Sequence, residues 1–147
     1  VVNRSGEPLD LSSVWVVSNG DEFPLFDEGC LPPQSGLVIF GGGESSLVDT
    51  TSTLWRSKTS LNLVNGGGSV LLVYRTSGAE DVELDRIDYT ALGGVAWARD
   101  PDGTGDFVPH NAHSEVVGLQ PDAMPEGFSP DYSPGACADG SPFGACL

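Results

Sequence analysis

The sequence predicts an all-β chain, a sandwich or barrel of short strands with long loops, on three observations. Twenty Gly and 11 Pro are spread along the 147 residues and cut the apolar residues into short runs. Four of those runs, Val14–Val17, Gly36–Phe40, Ser69–Tyr74 and Val82–Tyr89, are rich in β-branched and aromatic residues and bounded by turn formers. No stretch sustains the 3.6-residue period of an amphipathic helix. Short strands separated by frequent turn signals are the pattern of an antiparallel sandwich or barrel.

Each element follows in order. Val14–Val17 is a strand built around Trp15, and Gly36–Phe40 is the next. The segment 44–60 is polar and rich in Ser and Thr, with Leu47, Val48, Leu54 and Trp55 as its anchors, which predicts a long loop or one short helix. Leu61–Val64 and Val70–Tyr74 flank Asn65-Gly66-Gly67-Gly68, so two strands joined by a turn of positive φ are expected. The unbroken apolar run Val70–Tyr74 predicts a central strand covered on both faces. Within Val82–Tyr89, Val82 and Leu84 share one parity, whereas Ile87 and Tyr89 share the other. A strand that keeps one face on the core then needs an extra residue, a β-bulge near Asp85-Arg86. Ala96–Arg99 is a further strand, with Trp97 and Arg99 two apart on one face, where the guanidinium can cover the indole. From Pro109 onward Pro and Gly dominate, which predicts extended coil over the surface, with His110 and His113 as solvent-exposed loop residues.

Length and composition bound the rest. A chain of this size is one domain, with no repeat and no second unit in view. Six Lys and Arg against 21 Asp and Glu give a net charge of −15. Such a surface repels nucleic acid and anionic lipid, because both are bound through Lys and Arg. No apolar run approaches the roughly 20 residues of a membrane-spanning helix. No basic-then-apolar export signal opens the chain, so any such signal lies upstream of Val1, and the chain reads as a mature or excised piece.

Three cysteines are present. Cys137 and Cys146 bracket a short Gly- and Pro-containing loop, and a disulfide there would tie down a tail for about 2–3 kcal/mol of chain entropy. Cys30 is then the odd one. A bridge from Cys30 to either tail cysteine, or three reduced thiols, are the alternatives. No CxxC pair or other zinc spacing occurs.

Catalytic chemistry finds little footing. Serine or cysteine nucleophiles need a positioned base, and the chain offers two histidines and no Gly-x-Ser-x-Gly elbow. Gly41-Gly42-Gly43-Glu44 follows a strand but lacks the lysine of a phosphate loop. Paired carboxylates for glycoside cleavage are not singled out by any spacing. Asp100-Pro101-Asp102-Gly103-Thr104-Gly105-Asp106 is the strongest functional candidate. Its three carboxylates, Asp100, Asp102 and Asp106, resemble the opening of a calcium loop, although no closing Glu follows. Pro and Gly serving an Asx-turn is the plainer reading, and calcium is the one candidate cofactor.

Six motifs in order resemble the lamin tail domain family. Asn3 through Leu11 resembles its Asn-to-Val-Asp-Leu entry, followed by the Trp15 strand, and Leu31-Pro32-Pro33-Gln34-Ser35-Gly36 is similar to its Leu-x-Pro-Gly turn. Leu61 through Val70 is similar to its Leu-x-Asn-x-Gly-Asp-x-Val hairpin. Asp85-Arg86-Ile87-Asp88-Tyr89 resembles its Asp-Ser-Val-x-Tyr strand. Ala96 through Gly105 resembles its Ser-Trp-x-Arg-x-Pro-Asp-Gly-x-Gly segment, and Ser133-Pro134-Gly135-Ala136 its closing Thr-Pro-Gly-Ala. The chain departs from the family in starting after the usual first strand and in a longer insert between Gly41 and Ser60.

The resemblance implies an immunoglobulin-like antiparallel β-sandwich over residues 1–136; the cysteine spacing makes residues 137–147 an extended tail expected to be closed by a disulfide. It assigns Asp85, Tyr89, Trp97 and Arg99 to structure, and it implies no catalytic residues. The expected protein is a monomeric, secreted or cell-surface binding or attachment module with a protein or glycan partner. The rival expectation is a calcium-dependent hydrolase or a calcium-stabilised adhesion domain.

Overall fold

The computed structural model describes residues 1–41, 53–58, 61–120, 129–131 and 136–141. Its regular elements are strands, apart from two short 3-10 turns. In order these are β1 (Val2–Asn3), β2 (Leu9–Asp10), the turn η1 (Leu11–Ser13), β3 (Val14–Ser18), β4 (Asp21–Pro24), β5 (Cys30–Leu31) and β6 (Ser35–Gly41). There follow β7 (Thr53–Lys58), β8 (Gly67–Tyr74), β9 (Val82–Thr90), β10 (Trp97–Asp100), β11 (Asp106–Pro109) and the turn η2 (His110–Ala112). The protein is all-β.

An antiparallel sheet of order β4-β3-β8-β9 forms the largest layer. The other strands form a three-stranded sheet, β1-β6-β7, and the small pairs β2-β5 and β10-β11. All pairings are antiparallel except β6 with β7, which run parallel from Gly36↔Thr53 to Gly41↔Lys58. The first hairpin closes on Asn19-Gly20, both at positive φ (51° and 90°), as a tight two-residue turn requires.

Alternation along β3 sets the core. Val14, Val16 and Ser18 are buried, whereas Trp15 and Val17 face the other way. Val14 and Val16 join Leu11, Leu25, Leu31 and Leu37 in one buried cluster, against which Leu9, Ile39, Val70, Leu72 and Tyr74 pack. Each such Val or Leu contributes about 1.5–3 kcal/mol by leaving water. Asn3 pins the chain entry: its buried amide donates to Glu7 O (2.8 Å) and Leu31 O (3.0 Å), and its Oδ1 accepts from Ser5 N (3.1 Å).

β8 is the central strand that its apolar run predicts. Its inner residues meet the core. On the outer face Val73 lies opposite Trp15 and is only 6% exposed. The Arg75 guanidinium sits 4.5 Å over the Trp15 ring and bridges to Glu22 (3.0 Å) and Asp81 (2.6 Å). One cation held by two carboxylates thus roofs an apolar strip that would otherwise face solvent.

The predicted bulge is present in β9, at Leu84. Leu72 stands opposite Asp85 and Val73 opposite Glu83, which leaves Leu84 without a partner. It does not carry the first half of the strand into the core, because Val82 and Leu84 stay exposed. Its effect is to set Asp85, Ile87 and Tyr89 on the sheltered face.

Three expectations are corrected. Residues 53–58 are neither loop nor helix but the strand β7, recruited by β6 as a parallel partner; Leu47 and Val48 lie outside the described residues. Leu61–Val64 is not a strand. The Tyr89 hydroxyl accepts from Val64 N (3.0 Å) and donates to Val64 O (3.1 Å), so a side chain takes the place of a neighbouring strand. The stretch after Pro109 opens with η2 and further turns rather than extended coil, and His110 and His113 are 2% and 0% exposed.

Candidate functional site

The aspartate-rich loop closes the β10–β11 hairpin, with Asp100 directly opposite Asp106. Thr104 N and Gly105 N both donate to Pro101 O (3.2 and 2.8 Å), which folds the loop over the Asp100–Pro101 peptide, a cis bond. A Cβ on Gly105 would stand 1.8 Å from Asp100 O, so only glycine fits there.

Around this loop the chain gathers groups that are distant in sequence. Asp100 accepts from Ser114 through both oxygens, from the hydroxyl (2.6 Å) and from the backbone N–H (2.8 Å). Those two bonds, hydroxyl first, hold the Asp100 carboxyl below the ordinary value of 3.8. Asp102 accepts from Ala138 N at 2.8 Å, which fastens the tail to the hairpin. Asp106 is exposed.

His113 is the centre of the arrangement. Its Nε2 lies 2.8 Å from Arg99 O, and its Nδ1 accepts from Glu115 N at 3.1 Å. A carbonyl can only accept and a backbone N–H can only donate, so the network assigns the neutral ring with its proton on Nε2. The Asp100 and Asp102 carboxylates each stand 3.8 Å from Nε2. His110 turns its Nδ1 toward Pro130 O (2.8 Å), while its backbone N donates to Ala96 O (2.8 Å).

The three acidic or histidine side chains that meet closely enough to share a cation, among the described residues, are Asp102, His113 and Glu115, with ligand atoms within 4.8 Å of one another. Asp100 and Asp106 are not in that set. A metal on His113 needs a nitrogen lone pair, and the one it has is held by the Glu115 N–H. The histidine therefore acts as a peg that joins the end of β10 to the turn after η2.

Of the four residues assigned to structure by sequence, Asp85 and Arg99 meet, whereas Tyr89 and Trp97 bind backbone elsewhere. Arg99 forms an ion pair with Asp85 and also donates to Gly105 O. Its guanidinium lies 4.0 Å over the Phe107 ring rather than over Trp97. Phe107 is the cross-strand neighbour of Arg99, hence closer than a residue two along the same strand. Trp97 Nε1 donates to Thr90 O (3.2 Å), which links the hairpin to the end of β9. Ser114, Glu115 and Phe107 were absent from the sequence reading, since no local spacing ties them to the loop.

A cleft of about 910 Å³ opens between the layers beside this hairpin. Leu37 and Ile39 of β6, Leu72 of β8, Ile87 of β9, Trp97 of β10 and Phe107 of β11 line it. Asp85, Arg99, Asp102 and His110 reach its wall, each already bound to a partner described above.

Cys137 is fully buried and disulfide-bonded, Cys30 is free and exposed, and Cys146 lies outside the described residues. Among the described residues no helix is long and apolar enough to cross a membrane. The chain matches no family model, no curated protein and no solved structure.

Proposed function

We propose that this chain is a non-catalytic binding or attachment module of an exported protein, an immunoglobulin-like sandwich of the lamin tail type. The reading rests on one observation: the cleft has apolar walls, and the polar groups reaching it are spent on one another or on backbone. Arg99 is neutralised by Asp85, Asp102 accepts from Ala138 N, and His110 faces Pro130 O. An active site needs a base, acid or nucleophile left free to meet a substrate. An apolar cleft instead takes an apolar anchor, which favours a protein partner over a glycan.

The sandwich reading draws on the inner face of β3 and β8 packing against β6 and the β2-β5 pair. The order of the Asn3, Trp15, Asp85 and Trp97 motifs favours the lamin tail type. The disulfide of Cys137 is assigned to Cys146; a non-reduced digest should link the two peptides and leave Cys30 open to alkylation.

Nile red tests the cleft. The wild-type protein should enhance its fluorescence, and Ile87→Trp, which fills the space, should remove that enhancement while keeping the β-rich circular dichroism. Equal enhancement by both proteins, or none by either, would remove the cleft as the binding surface. Calcium-stimulated hydrolysis of a chromogenic ester, lost in His113→Ala, would replace the module with the enzyme.

A further inference from the structure

Four positions in the chain carry Asn or Asp followed by Gly: Asn19-Gly20, Asn65-Gly66, Asp102-Gly103 and Asp139-Gly140. Such pairs can cyclise, because glycine leaves its own nitrogen unshielded and lets the backbone turn toward the side-chain carbonyl carbon. Cyclisation requires the side chain to rotate onto the following nitrogen, so whatever holds the side chain suppresses it. On that criterion the structure separates the four.

Three are held. Asn19 donates through Nδ2 to Asn62 O (2.8 Å) and accepts at Oδ1 from Ser69 N (3.1 Å), locked between two elements. Asp102 accepts from Ala138 N (2.8 Å), and Asp139 accepts from Ser141 N (2.8 Å).

Asn65 differs in this respect. Like Asn19 and Asp139 it is exposed, but its side chain makes no hydrogen bond among the described residues, nor does the Gly66 N–H. Space around Gly66 is as open as around Gly20: a Cβ built at either meets nothing within 4 Å. The flanks are fixed. Val64 is gripped at N and O by the Tyr89 hydroxyl, and Gly67 N donates back to Val64 O at 3.2 Å before entering β8. A free two-residue span between two anchors remains.

We propose that Asn65 is a site of spontaneous covalent modification, deamidation through a cyclic imide with Gly66, from which the fold protects the identical Asn19-Gly20 pair. The Gly66 nitrogen attacks Cγ of Asn65 and gives its proton to water. The Cγ–Nδ2 bond breaks and ammonia leaves. Water then opens the imide at either carbonyl, leaving a carboxylate as aspartate or as its β-linked isomer. The sum is amide plus water to carboxylate plus ammonium, with no change of oxidation state. Each event adds one negative charge beside the start of β8. The β-linked product also lengthens the backbone next to the Gly67↔Thr90 pair.

Peptide mapping of the intact protein held in mildly alkaline buffer tests this. Deamidation should be about tenfold or more faster at Asn65 than at Asn19, the factor that about 1.4 kcal/mol of barrier supplies when the bonds of Asn19 must first break. In denaturant the two rates should converge. Gly66→Ala, for which the structure has room, should slow Asn65 alone. Equal rates at both sites in the folded protein, no conversion at Asn65, or the same disparity after unfolding would each overturn the assignment.

Discussion

His113 ties the hairpin together with two part-buried bonds of opposite polarity, donating to Arg99 O and accepting from Glu115 N. A residue with only one of these functions cannot replace it. His113→Ala removes the partner of the part-buried Arg99 carbonyl and Glu115 N–H and leaves a ring-sized void. A loss of about 2–4 kcal/mol is expected by denaturant unfolding, in the range of an orphaned polar pair plus a cavity. The neighbouring Asp100–Ser114 contact adds a pH dependence whose sign follows from linkage. Asp100 titrates below its ordinary value in the folded state, so its contribution is present above 3.8 and fades as pH falls through the lowered value. Ser114→Ala should be less stable than wild type near neutral pH, and the two unfolding curves should converge in strong acid. A constant gap down to the lowest pH would show that Ser114 acts through packing instead. Neither contact was legible in the sequence, because the partners of His113 and Ser114 lie 14 residues back in the chain.

Strands were legible wherever a short apolar run stood between turn formers, which is how β3, β6, β8, β9 and β10 were found. The β9 bulge could be read as well, because a change of parity within one strand has few other causes. What the pattern could not carry is partnership. β7 looks like a polar loop until β6 supplies its hydrogen bonds. Leu61–Val64 looks like a strand until Tyr89 takes the polar groups of Val64. Arg99 chose Phe107 over Trp97 because cross-strand neighbours are nearer than same-face neighbours along one strand. The Tyr89 tether gives a test at this level. Tyr89→Phe keeps the ring and removes both bonds to Val64, at a cost of about 0.5–1.5 kcal/mol for an exposed site. Amide exchange at Val64 should accelerate while the β3–β8 ladder stays protected. Unchanged exchange at Val64 would mean that the hydroxyl does not fasten the segment.

At the scale of the whole molecule the dominant quantity is the net charge of −15, which makes the folded state repel itself. Any cation should relieve that repulsion by screening, whether or not it has a site. A calcium site would act differently, by mass action on the folded state and with a preference over magnesium, which parts with its waters reluctantly. The hydrogen bonds of the hairpin loop favour plain screening. Asp100 spends an oxygen on each Ser114 donor, Asp102 accepts from Ala138 N, and Asp106 is exposed, apart from the set that Asp102 forms with His113 and Glu115. His113 in turn has no nitrogen free. Calcium and magnesium at equal millimolar concentration should therefore raise Tm by the same amount, and sodium at matched ionic strength should reproduce most of the shift. Asp102→Asn with Asp106→Asn should raise the starting Tm or leave it unchanged through reduced repulsion, offset by the weaker bond to Ala138, without separating the two divalent ions. A calcium shift clearly larger than the magnesium shift, and abolished by the double variant, would establish that the loop rearranges around the ion.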